Sequence, residues 1–249
     1  MYDSILDNRH IIMPAYRTKN THISQKKLEN NLDKSTKRKL TYKSGGNEVE
    51  NRIKDLEKAI KEYRIDRLAT MRGHMAEYVS ALNPTFCKAL NTVMKEQLQR
   101  QSEEIESKVK YLYLCRLHTS DYTGSYGAII GMSGPGMYLD EKLSQVNWYP
   151  TALYTALDKD METITKLLQQ TFIRLQESEL FAMKQRLSDD NWIVAESCFR
   201  TLVQNNFNLI SDSKLRFEGE LLILCGNYMD NLKILDAVGD APGKKEAEL

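Results

Sequence analysis

The sequence predicts an all-α protein with two long N-terminal helices in a coiled-coil-like hairpin and a compact three-helix bundle after it. Three observations carry this prediction. Apolar residues make up 41% of the 249-residue chain and charged residues 28%, which suits helices with one face in water. Apolar side chains recur at steps of four and three from residue 49 onwards, and again after residue 150.

The first 46 residues predict a basic, flexible arm. They are polar, lack sustained periodicity and end in Ser44-Gly45-Gly46, so they cannot bury enough apolar surface to offset the entropy of ordering. A short apolar patch (Ile11, Ile12, Met13 and Tyr16) could dock on a partner or on the body of the protein.

The charge of the arm suggests its partners. Residues 1–46 hold ten Lys/Arg against four Asp/Glu, a net charge of +6, whereas the rest of the chain holds 25 against 30, a net charge of −5. Such an arm can neutralise phosphates of a nucleic acid, meet an acidic protein surface or serve as a solubilising tail. The predicted partner-binding cations are the densest ones, Lys26, Lys27, Lys34, Lys37, Arg38 and Lys39.

Residues 47–118 predict the helical hairpin. Asn47 and Glu50 have the spacing of a capping box, and a heptad seam follows. A break is predicted at Asn83-Pro84, because Pro favours the first position of a helix. The seam predicts self-association, although packing inside the hairpin would explain it equally well; its residues are Val49, Ile53, Leu56, Ile60 and Tyr63.

Residues 119–149 predict a connecting segment rich in Tyr and Gly. Residues 110–117 alternate well enough to form a strand that residues 126–132 could join, so a small β-hairpin around 110–132 is a further possibility. Tyrosines on a Gly-rich backbone are typical of protein interfaces. Ordinary half-buried packing would explain them as well; the candidate anchors for a protein partner are Tyr122, Tyr126, Tyr138 and Trp148.

Residues 150–238 predict the three-helix bundle, and residues 239–249 a disordered tail. Pro150 opens its first helix, Ser188 or Asp189 caps the second, and Ser211 or Asp212 caps the third. The third helix has the widest apolar surface and is predicted to be central.

The search for catalytic and metal motifs gives no cofactor and no metal. The four cysteines lie far apart and form no CxxC pair. His118, Ser120 and Asp121 are close in sequence, but a triad is recognised by geometry rather than chain proximity. The chain has no segment long and apolar enough for a membrane span and no signal peptide, so an intracellular location is expected.

These observations favour a non-enzymatic assembly or adaptor protein that acts through protein–protein contacts and self-association. One alternative is a nucleic-acid packaging or accessory protein that uses the basic arm. Another is an enzyme of unfamiliar type with a site near residues 118–136.

Overall fold

The computed structural model describes residues 50–103, 108–139 and 143–238. They form two compact units. The sheet unit comprises residues 68–103, 108–139, 143–156 and 188–238, and the helical unit comprises residues 50–67 and 157–187. The helices are α1 (50–59), α2 (Lys61–Gly73), α3 (Met75–Ser102), α4 (His118–Thr123), α5 (Leu157–Gln169), α6 (Glu177–Asn205) and α7 (Phe207–Ser211).

A five-stranded sheet is the centre of the sheet unit. Its strands are β1 (Val109–Arg116), β2 (Ala128–Ser133), β3 (Ser144–Trp148), β4 (Phe217–Asn227) and β5 (Leu232–Val238), in the order β3-β2-β1-β4-β5. β1 pairs with β4 in parallel, and the other neighbours are antiparallel. The carboxyl ends of β1 and β4 therefore meet at one edge of the sheet, with Arg116 opposite Asn227.

The all-α prediction is wrong, because a mixed sheet occupies the centre of the sheet unit. The predicted last helix of the bundle is the hairpin of β4 and β5. Its apolar run at 221–225 also fits a strand that is covered on both faces, where apolar residues follow one another without alternation. Four of these five residues, Leu221, Ile223, Leu224 and Cys225, are buried between β1 and β5.

The coiled-coil-like hairpin is also corrected. The helix breaks near Gly73 and His74 instead of at Asn83-Pro84, and α3 runs through Pro84. β1 lies where the end of the second predicted helix was expected. Leu56 and Ile60 of the predicted seam belong to the helical unit and are fully buried. Among the described residues, the other buried apolar side chains of this unit are Leu157, Ile164, Leu168, Met183 and Leu187.

The strand pair that the sequence raised as a further possibility is present within the larger sheet. β1 and β2 are antiparallel, and Tyr113 lies opposite Gly131. A Cβ atom on residue 131 would lie 2.3 Å from the Tyr113 ring, so glycine is required there for the ring to lie across β2. The Tyr113 hydroxyl then reaches the side chain of Gln145 on β3, at 3.4 Å.

One face of the sheet is covered by α3. The Trp148 indole nitrogen donates to the Thr85 hydroxyl at 3.2 Å, and the Phe86 ring meets the rings of Trp148 and Phe199 edge-on. In the buried part of this contact the Ser144 hydroxyl donates to the Gln97 amide oxygen at 2.8 Å. These contacts hold α3, β3 and the C-terminal half of α6 together.

The other face of the sheet carries a second apolar cluster of Tyr113, Cys115, Ile129, Leu224 and Leu232. The hydroxyl of half-buried Tyr138 lies 3.1 Å from the Cys115 sulfur. Burial raises the pKa of the Cys115 thiol to about 11, so this cysteine behaves as a core residue. None of the helices in the described part of the chain combines the length and the apolar character needed to cross a bilayer.

Candidate functional site

The candidate site is the loop that leaves the central strand at its carboxyl end. Residues 117–127, named here the tyrosine loop, connect β1 to β2 and contain the short helix α4. α4 ends at Thr123 and is capped by Gly124, whose φ of 68° is left-handed; glycine adopts this conformation at little steric cost. Binding residues often lie on such loops, which a rigid scaffold positions.

Ser120 holds the two ends of the tyrosine loop together. Its backbone carbonyl accepts the N–H groups of Ser125 and Tyr126, at 3.0 and 3.3 Å. Its buried hydroxyl lies within hydrogen-bond distance of the carbonyls of Leu117 and Gly127. The N–H of Leu117 also donates to the Gly127 carbonyl. The backbone of the loop is therefore fixed by internal hydrogen bonds.

Tyr126 is held in an unfavourable backbone conformation. Its φ is 48°, a left-handed value that costs a non-glycine residue roughly 1–2 kcal/mol. Its ring stacks on Tyr154, with 4.2 Å between the ring centroids and 6° between the planes. The stack and the hydrogen bonds to Ser120 offset that cost and fix the direction of the Tyr126 side chain.

A buried ion cluster lies beneath the loop. The guanidinium of Arg116, the last residue of β1, bonds to Asp121 of α4 at 2.9 Å and to Asp189 of α6 at 2.8 Å. The same guanidinium donates to the Ser188 hydroxyl at 3.0 Å, and Ser188 donates to Asp121 at 3.1 Å. The cluster thus ties β1, α4 and α6 to one another.

The electrostatics of this cluster indicate a structural clamp. Burial alone would lower the pKa of Arg116, but the hydrogen bond to Asp189 and the charge of Asp121 raise it. Because two carboxylates share one guanidinium, its charge is fully neutralised within the chain. Arg116 therefore positions the loop and does not offer a free cation to an anionic ligand.

Tyr154 remains an uncharged phenol in this environment. Burial raises its pKa to about 12, and the opposing effects of Arg116 and Ser188 only moderate the shift. A neutral ring in a fixed position gives Tyr126 a surface to stack on.

The tyrosine loop leaves part of its aromatic surface in solvent. The Tyr122 side chain on α4 is 71% exposed, and Tyr149, which follows β3 at the same edge, is 47% exposed. The Tyr149 ring packs over Gly127, 3.1 Å from the place of a Cβ atom there. A fixed loop thus presents exposed and half-exposed tyrosines at one edge of the sheet.

The structure brings together only two of the four aromatic residues that were predicted to contact a protein partner. Tyr122 and Tyr126 both lie in the tyrosine loop. Trp148 is 2% exposed and belongs to the core under α3, while Tyr138 covers the opposite face of the sheet. The predicted cations of the arm, Lys26, Lys27, Lys34, Lys37, Arg38 and Lys39, lie outside the described residues.

The predicted self-association residues lie in the helical unit, apart from Val49, which is outside the described residues. Leu56 and Ile60 have no exposed surface, and Ile53 is half-buried. The Tyr63 hydroxyl donates to Asp160 of α5 at 2.9 Å. These side chains are already engaged within the chain.

Several residues of the site were missed by the sequence analysis: Arg116, Tyr149, Tyr154, Ser188, Asp189 and Trp192. Ser188 and Asp189 were interpreted as helix caps, but α6 continues through them and their side chains bond to Arg116. The available signal was a run of polar residues, 188–191, next to the apolar stripe of the same helix. The Trp192 ring lies 6.0 Å from the Arg116 guanidinium, a cation–π distance.

The loop does not arrange Ser120 and Asp121 as members of the catalytic triad that was considered from the sequence together with His118. Ser120 donates its hydroxyl to backbone carbonyls, and Asp121 bonds to Arg116 and Ser188, so neither is arranged as a nucleophile–base pair. Within the described ranges, no group of three His, Cys, Asp or Glu side chains could hold a metal ion.

Comparison with protein-family models, with curated proteins and with solved structures gives no match to this chain.

Proposed function

We propose that this chain is a non-enzymatic protein-binding module whose contact surface is the tyrosine loop. The observation that carries the proposal is Tyr126. Its backbone is kept left-handed by ring stacking on Tyr154 and by the hydrogen bond from its N–H to the Ser120 carbonyl. Backbone strain that the surroundings maintain is typical of functional surfaces.

The chemistry of the loop supports a protein partner. Tyrosine gives a large contact area with few rotatable bonds, so little side-chain entropy is lost on binding. The ion cluster and Ser120 fix the loop before any partner arrives, which lowers the ordering cost of association. Tyr122 and Tyr149 supply exposed aromatic surface beside Tyr126, and aromatic anchors of this kind dominate the energy of protein interfaces.

Site-specific photo-crosslinking tests the proposal. The full chain carries p-benzoylphenylalanine in place of Tyr122, and irradiation in living cells is followed by mass spectrometry of the cross-linked products. A matched chain carries the same group in place of Leu209, a partly exposed residue of α7 near the amino end of β4. We expect one discrete protein adduct from position 122 and none of the same mass from position 209.

The identity of the adduct distinguishes the alternatives. A second copy of this chain would assign the surface to self-association, and a different protein would assign it to an adaptor role; both support the proposal. An adduct with nucleic acid, or equal labelling from both positions, would contradict it. The same adduct should weaken at least tenfold when Tyr149→Ala is added to the chain, because a hot-spot aromatic has been removed.

A further inference from the structure

A second feature of the sheet unit is an open groove between the N-terminal half of α3 and the C-terminal end of α6. Its volume is about 630 Å³, and its apolar floor includes Met75 and Val79. Met75, Val79 and Asn83 succeed one another at helical steps of four, so the groove follows two turns of α3, or about 12 Å. That length accommodates about four residues of extended chain.

The rim of the groove consists of neutral hydrogen-bonding groups. The Asn206 amide donates to the Asn83 side-chain oxygen at 2.8 Å, and the Cys87 thiol lies 3.1 Å from the Asn206 side-chain oxygen. These bonds fix two side-chain amides at one end. The Asn83 amide nitrogen is left without a hydrogen-bond partner in the described part of the chain. None of the described residues that line the groove is charged.

Pro84 adds a backbone acceptor to the groove. Proline has no N–H, so within α3 the carbonyl of Ser80, four residues earlier, loses its usual helical donor. Ser80 lines the groove. An extended segment that lies there could donate a backbone N–H to this carbonyl and accept from the Asn83 amide, since extended chains leave both groups unpaired.

The chain itself contains a segment with matching chemistry. Ile11, Ile12, Met13 and Pro14 are four successive apolar residues, and no Asp, Glu, Lys or Arg lies between Arg9 and Arg17. Proline disfavours helix and pushes the residue before it to extended conformations. Residues 11–14 are the first four residues of the apolar run 11–16, and about four extended residues fit the length of the groove.

The length of chain between this segment and the described residues permits the contact. Residues 15–49 provide 35 residues, which reach up to about 120 Å when extended. That distance exceeds the diameter of a domain of this size, so the tether does not limit access. The entropy cost of closing a flexible loop rises only slowly with the number of residues in it, so a tether of this length does not prevent the contact.

We infer that residues 11–14 bind in the groove between α3 and α6 and so anchor the basic arm to the sheet unit. The apolar side chains pack on Met75 and Val79, while the backbone pairs with Ser80 and Asn83. The inference does not depend on the tyrosine loop.

Disulfide trapping in the full chain tests this inference. One variant combines Ile12→Cys with Ala76→Cys, since Ala76 is an exposed residue that lines the groove; Cys87→Ser prevents competing exchange. The matched control combines Ile12→Cys with Leu209→Cys, which the same tether can reach. Under mild oxidation we expect an intramolecular 12–76 disulfide at least tenfold faster than the 12–209 disulfide.

Further outcomes separate the occupants. Adding Ile11→Asp should remove the tenfold preference, because a carboxylate would enter an apolar groove. Equal rates at positions 76 and 209 would overturn the inference. A 12–76 disulfide formed only between two chains would also overturn it, and would show that a second copy supplies the segment. All variants retain the described core residues, and their helical circular dichroism serves as the folding control.

Discussion

The sheet unit contains a buried ion cluster with a cation at its middle, and the helical unit contains one with a carboxylate at its middle. In the sheet unit the cation Arg116 lies between two carboxylates, Asp121 and Asp189. In the helical unit the carboxylate of Asp160 lies between the Arg67 guanidinium, at 2.6 Å, and the Tyr63 hydroxyl. The first centre ties the end of β1 and the neighbouring α4 to α6, which is distant from them in sequence, whereas the second ties α2 to α5.

The difference shows what each centre contributes. Asp160 lies in the first turn of α5, where the helix dipole also favours a carboxylate, so part of its stabilisation is local. Arg116 ends a strand and obtains its compensation from side chains on two other elements, Asp121 of α4 and Asp189 of α6, with only 7% of its own side chain exposed. The Arg116 cluster should therefore be more sensitive than the Asp160 cluster to the loss of its middle residue.

The largest effect is expected from Arg116→Leu. This change leaves the Asp121 carboxylate, only 8% exposed, without its cation, and removing one partner of a buried pair costs about 3–5 kcal/mol. The free energy of unfolding in urea, followed by tryptophan fluorescence, measures the loss. Both tryptophans of the chain, Trp148 and Trp192, lie in the sheet unit.

The matched control also removes the buried Asp121 carboxylate. The double variant Arg116→Leu with Asp121→Leu should be more stable than Arg116→Leu alone, because the one carboxylate of the cluster that remains, Asp189, is 43% exposed and can be solvated. A loss below about 1 kcal/mol for the single variant would show that the cluster is not the clamp described above.

The two units also differ in how well the sequence predicted them. Helical periodicity at 49–63 and 153–175 predicted helices where the structure has α1, the start of α2 and α5, although α5 begins at Leu157 and ends at Gln169. An amphipathic helix is easy to predict because its buried face repeats with the helical period. The strands of the sheet have a less specific sequence pattern. β4 is buried on both faces, so its apolar run fits a helix and a strand equally well.

The site was predictable only in part. Tyr122 and Tyr126 stood out through their Gly-rich surroundings. The residues that fix them, Arg116, Tyr154 and Ser188, come from three separate stretches of the chain, and nothing local indicates that they meet. Trp148 was misassigned because an aromatic residue near a loop can serve either as an interface anchor or as a core residue. Its edge-on contact with Phe86 shows that it belongs to the core.

A smaller effect is expected from Asp160→Asn in the helical unit. The Arg67 guanidinium and the Tyr63 hydroxyl would each lose a charged acceptor, which costs about 1.5–3 kcal/mol for the bonds together. Asp158→Asn is the control, because Asp158 lies in the same first turn but its side chain is 90% exposed. Urea unfolding followed by circular dichroism at 222 nm should separate the two variants, and equal stabilities would contradict the role given to Asp160.

The smallest effect is expected from Tyr154→Phe, which keeps the ring beneath Tyr126 and removes only the hydroxyl. Near neutral pH the loss of this buried hydroxyl beside Arg116 and Ser188 should cost about 1 kcal/mol. The pKa of Tyr154 is raised to about 12 in the folded chain, against about 10 when unfolded. Between these pH values the unfolded chain loses this proton first, so the native protein loses stability as pH rises, and the variant lacks that contribution. The native protein should therefore lose its stability advantage over the variant between pH 9 and pH 11.5, and the difference in unfolding free energy should change sign, since up to about 1.4 kcal/mol is lost per pH unit in this range. Parallel stability curves over that range would mean that Tyr154 titrates like an exposed tyrosine and that the cluster beneath the loop is open to water.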